Sequence, residues 1–125
     1  MKVKCIKIYN EVTKQYQNTS SWLTIGREYM VSEISMHPHE EILFRLQGDN
    51  RNEMPAIYDA RQFEVVTNKI PSNWIVVQEC SGTLTYSPAA WSVPGFWEDF
   101  FDGVQSAIEI YRRELRIIME EENKV

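Results

Sequence analysis

Both histidines of the chain fall in one short run, His37-Pro38-His39-Glu40-Glu41, where imidazoles and carboxylates are the residue types that ligate a transition metal. A metal needs further ligands that converge on the same point. No second His or Cys cluster supplies them, so the run reads as an exposed loop. Cys5 could serve as a nucleophile only if one of these histidines folded against it, and a cysteine in a strand reads as an inert core thiol. Glu98, Asp99 and Asp102 could act as paired carboxylates for acid and base work, since Glu98 and Asp102 share a face if the segment is helical. Acids just ahead of a helix also stabilise its N-terminal dipole by about 0.3–1 kcal/mol each, with no substrate needed. The chain has no glycine-rich phosphate loop, no serine nucleophile elbow and no zinc-type cysteine spacing. No catalytic residue, metal or cofactor is therefore assigned, and a non-enzymatic protein is expected.

The stronger pattern is aromatic. Trp91, Phe96, Trp97, Phe100 and Phe101 occupy eleven residues that also hold the three acids, and rings beside carboxylates are suited to anchoring a basic partner. Five large rings do not all point inward from a short loop and half-turn, so one or two should stay exposed. Trp97, Glu98, Asp99, Phe101 and Asp102 are the residues predicted to meet that partner.

The charge distribution agrees. The net charge of −5 is concentrated in the second half, and no Lys or Arg occurs between Ile70 and Tyr111, a window holding Glu79, Glu98, Asp99, Asp102 and Glu109. The negative potential expected there disfavours nucleic acid and favours a basic protein. No stretch approaches the roughly 18 apolar residues of a membrane span. Arg112, Arg113 and Arg116 are answered by Glu109, Glu114 and Glu120 to Glu122, leaving no cationic face for lipid. The N-terminus alternates charged and apolar residues and does not resemble a signal peptide, and Cys5 and Cys80 both read as reduced core thiols. A cytoplasmic location is expected.

The elements that must position these residues are legible as short runs. Strands are expected from Val3 to Tyr9, with Val3 and Cys5 on one face and Ile6 and Ile8 on the other; from Glu28 to Ile34; from Ile42 to Leu46; from Pro55 to Tyr58; and from Phe63 to Val66. Glu11 to Ser21 reads as a loop, Gly26 and Gly48-Asp49-Asn50 as turns, and Asp59 to Gln62 as one helical or 3₁₀ turn. Trp74 to Cys80 and Thr83 to Ser87 flank Ser81-Gly82 as a hairpin. Beyond Pro94-Gly95, Val104, Ala107, Ile108, Tyr111, Leu115 and Ile118 recur at helical spacing to about Glu121, with Asp102 as N-cap or first-turn acid. Asn68 to Asn73 is the only candidate hinge. One α+β domain over 1–125 is expected, with a small antiparallel barrel over 1–68 and a hairpin plus C-terminal helix over 69–125.

Lys2 to Ile6, Leu23 to Val31, the Phe44 strand and Gln62 to Val66 resemble a family of small bacterial and phage SH3-like barrels over roughly the first half of the chain. That resemblance implies a fold and hardly a function. Ile70 to Trp74, Trp91 to Phe101 and the closing helix resemble immunity proteins of polymorphic and contact-dependent growth-inhibition toxin systems. This second resemblance implies a cytoplasmic protein that neutralises one cognate toxin, commonly a basic nuclease, by covering it. It assigns no functional residues; the acidic and aromatic cluster is read from the residues themselves. The alternative is an accessory SH3-like barrel that binds a regulatory protein or a small ligand.

Overall fold

In a computed structural model, residues 1–39, 41–49 and 52–124 are described. Glu40 of the histidine-bearing run, Asn50 of the expected turn, Arg51 and Val125 lie outside the described residues. The chain is mixed α+β, with ten strands in three antiparallel sheets and two α-helices among the described residues.

Apolar residues at alternate positions place Val3 and Cys5 inward on β1 (Lys2–Cys5), which is the centre of a three-stranded sheet between β4 (Glu28–Met30) and β8 (Phe63–Thr67). A second sheet has the order β7 (Ala56–Asp59), β6 (Ile42–Leu46), β5 (Glu33–Met36), β10 (Leu84–Pro88) and β9 (Trp74–Gln78). The expected run from Glu28 to Ile34 is therefore two strands. Val31 ends one ladder by donating its N–H to Met1, and Ser32 begins the other by donating to Arg45, both at 2.9 Å. Each sheet keeps its own hydrogen bonds, and the two are not closed into a barrel.

Three further expectations change. The stretch from Glu11 to Ser21 is not all loop, because β2 (Ile8–Asn10) pairs with β3 (Gln15–Gln17) in a hairpin. Ile6 and Ile8 do not share a face: the first strand stops at Cys5, Ile6 is exposed, and Ile8 turns back into the core beside Val3 and Cys5. Cys80 is not a core thiol; it is exposed at the tip of the β9–β10 hairpin. There Gly82 donates to Glu79 at φ +91°, and a Cβ at this glycine would lie 3.0 Å from Pro38.

One core lies between the two larger sheets, with Phe63 against Tyr29, Phe44 and Tyr58 at ring separations of 6.0 to 6.5 Å. A second core is built by Trp91, the short helix α1 (Phe96–Phe101) and the long helix α2 (Gln105–Glu122). The seam of α2 is Ala107, Tyr111, Ile118 and Glu122, the expected helical stripe with a carboxylate at its end. Thr67 donates to that buried carboxylate, the Met1 amine pairs with it at 2.6 Å, and Asn73 donates to the Glu114 carbonyl. The segment from Asn68 to Asn73 is therefore clipped along α2 and is not a free hinge. Among the described residues, no helix is long and apolar enough to cross a membrane.

Trp74 packs against both cores. Trp74→Ala is expected to cost about 3 kcal/mol in urea unfolding. It should also separate the loss of helical circular dichroism from the loss of near-ultraviolet signal. Coincident curves at unchanged stability would refute the bridge.

Candidate functional site

The predicted contact residues are carried by α1, a helix the sequence reading treated as a loop and half-turn. Phe96, Trp97, Phe100 and Phe101 have the i, i+1, i+4, i+5 spacing of a helix face, which is the signal that could have revealed it. Gly95 opens α1 in the left-handed region at φ +84°. Its end is a Schellman motif, with Gly103 donating to the Phe100 carbonyl and Val104 to that of Asp99. Asp102 is thus the C-cap of α1, and Val104 stands at the N-cap of α2, so Asp102 caps neither helix N-terminus. Glu98 and Asp99 do lie in the first turn of α1, where a negative charge is favoured; at Asp102 the dipole disfavours it.

The helix divides its rings sharply. Phe96 and Phe100 are buried with Trp91, and Tyr111 meets Phe100 at 4.6 Å and Trp91 at 5.1 Å. Phe101 is 46% exposed, and Glu98, Asp99 and Asp102 are exposed beside it. Trp97 differs from the other predicted contacts. It is half-buried, packs edge-on against Trp91, Phe96 and Phe100, and receives the Arg45 guanidinium 3.9 Å from its ring centroid. Its ring chiefly fastens α1 to the five-stranded sheet.

Arg45 also reaches Glu33 at 3.1 Å, and the two side chains are 11% and 10% exposed. Burial pushes the Glu33 carboxyl up from its ordinary value, Arg45 draws it back, and the nearby Glu79 carboxylate adds to the rise. Sequence reading missed this pair, because Glu33 stands in a strand that alternation alone would leave solvated on that face.

The residues weighed for other chemistry are scattered. His37 shares a hydrogen bond with Thr83 through Nδ1 at 3.1 Å, and His39 is exposed at φ 59°. The Cys5 thiol contacts the Lys7 carbonyl at 3.5 Å, and burial raises its pKa, the opposite of an activated nucleophile. Among the described residues, the acids close enough to share an ion are Glu11, Glu41 and Asp59, whose oxygens lie within 4.8 Å of one another. Asp59 is already engaged by Arg61 through Nε at 3.0 Å and Nη2 at 2.7 Å. Glu11 and Asp59 also border a cleft of about 720 Å³ between the β2–β3 hairpin and β7, lined by Tyr9, Trp22, Ile57 and Tyr58.

Compared with family models, curated proteins and solved structures, the chain matches none.

Arg45→Met removes the cation paired with Glu33 and is expected to cost about 3–5 kcal/mol at neutral pH. A carboxyl whose native pKa is raised loses stability as the pH climbs through that pKa, so the cost should be small below the ordinary 4.5 and grow above it. Urea melts on both sides of that value check this, and Glu33→Gln in the same chain should recover most of the loss.

Proposed function

We propose that this is a non-enzymatic protein-binding module whose partner is a basic protein, most concretely a toxin that it neutralises by covering its working surface. The reading follows immunity proteins of contact-dependent growth-inhibition and polymorphic toxin systems, acting in the cytoplasm. The observation that carries it is the division of α1: Phe96 and Phe100 hold the helix down, while Glu98, Asp99, Phe101 and Asp102 face solvent. No lysine or arginine occurs between residues 70 and 111, and the two arginines the structure brings near the helix are already paired, Arg45 with Glu33 and Arg112 with Glu53. Such a surface steers a cationic protein over a Debye length of about 8 Å at physiological salt. Phe101 then supplies an apolar anchor, with Met54 on the same shallow depression.

For the frame that carries this helix we propose an SH3-like arrangement over residues 1–68. The passage of the chain from β4 to β5 through Val31 and Ser32 supports it, as does the 3₁₀ turn at Ala60–Gln62 between β7 and β8. A second reading, an accessory barrel that binds a regulatory protein or small ligand, is favoured by the cleft beside Tyr9, Trp22 and Tyr58.

The test is capture of the tagged protein's partner from cells that express it together with their competition systems. A basic toxin fragment at near one-to-one stoichiometry, with toxicity relieved by co-expression, is the expected result. Replacing Glu98, Asp99 and Asp102 together by lysine should then weaken binding about tenfold or more and flatten its salt dependence, without loss of fold. Unchanged affinity and unchanged salt dependence would refute the α1 surface.

A further inference from the structure

A second concavity lies beside α1, on the outer face of the five-stranded sheet. It encloses about 340 Å³ between that face and the wall formed by Trp91, Trp97 and Glu98. Register sets its floor: Glu33 lies opposite Arg45, and Thr85 lies between Ser35 and Val77. Side chains alternate across a sheet, so these residues share the face opposite Ile34, Phe44 and Tyr86.

Its charges do not balance. Arg45 is committed to Glu33 and to the Trp97 ring. Glu79 and Glu98 line the same groove, and neither carboxylate has an ion-pair or side-chain hydrogen-bond partner among the described residues. An independent feature stands on the wall: Trp91 is 2% exposed, and its indole N–H has no acceptor among the described residues. A buried donor without an acceptor is costly, and a ligand carbonyl would satisfy it. A bare metal ion suits the groove poorly, because among the described residues the acid cluster tight enough for one lies elsewhere, at Glu11, Glu41 and Asp59.

We infer that this groove receives an arginine side chain from the basic partner. The carboxylates of Glu79 and Glu98 and the hydroxyls of Ser35 and Thr85 would accept from its guanidinium, and Trp91 would donate to a neighbouring main-chain carbonyl. A guanidinium carries five donors in a planar fork, which suits acceptors spread over two strands and a helix better than the point charge of an ammonium. The groove already holds one guanidinium, that of Arg45, between a carboxylate and an indole ring. The inference rests on the protein-binding reading above and names the side chain by which the partner is recognised.

The probe is Nα-acetyl-arginine methylamide, titrated into the full chain while the indole N–H signals are followed by NMR. Trp91 is assigned from the signal lost in Trp91→Phe. A saturable shift of the Trp91 signal is expected, with a millimolar Kd that rises about tenfold in a Glu79→Gln, Thr85→Val variant. Both substitutions lie outside α1. The citrulline analogue, neutral and nearly the same shape, should shift nothing. No saturable shift up to about 50 mM, equal binding of citrulline, or an unchanged Kd in the double variant would overturn the inference. A partner captured by a protein that ignores the probe would leave the α1 surface standing and remove the groove. A probe bound with no protein partner captured would do the reverse.

Discussion

The indole of Trp74 is shared by two hydrophobic cores, and the rest of the molecule depends on that sharing. One core is the space between the two larger sheets; the other is a cluster of rings held by the helices. Trp74 begins β9 opposite Pro88, so the strand that leads away from the first core also enters the second. A ring of this size in contact on both sides ties the burial of one cluster to that of the other, and cooperative unfolding follows from such shared contacts. α1 is thereby held in a fixed place over the sheet, with its acids turned outward.

The second link is electrostatic. Arg45 projects from β6, one strand in from the edge of the five-stranded sheet, pairs with Glu33 across the ladder and lies under Trp97. A buried ion pair of this kind contributes little net stability, since desolvation offsets most of the attraction. Its effect here is positional, because an apolar sheet face would have drawn α1 down flat and closed the groove beside it. A polar floor under an aromatic wall keeps that space open to solvent.

Much of this frame is legible in the residues. Short runs of β-branched and aromatic residues located β6, β8 and part of β1, and the three- and four-residue spacing of Ala107, Tyr111, Leu115 and Ile118 located the seam of α2. The acidic, ring-rich segment was found by composition alone. What escaped has physical reasons. β3 is exposed along its whole length, so it has no burial pattern to read. α1 is six residues long, too short for its period to stand out from a run of aromatics. The break at Val31 and Ser32 arises from two ladders competing for one strand, a tertiary effect that local propensity does not contain. The Glu33–Arg45 pair depends on strand register, and Cys80 lies outside the core because β9 ends at Gln78, two residues before the expected end of the strand.

The first strand has a consequence for the growing chain. β1 is paired on one side by β4 and on the other by β8, about half the sequence away. At roughly 5–20 residues per second on the ribosome, β1 therefore waits several seconds for its second neighbour. During that interval Val3 and Cys5 have no complete core to enter, and one edge of the strand is open to any passing chain. Lys2 and Lys4, on the opposite face from Val3 and Cys5, supply the charge that keeps such an edge from pairing wrongly. These two lysines thus place charge at that edge before its second neighbour exists.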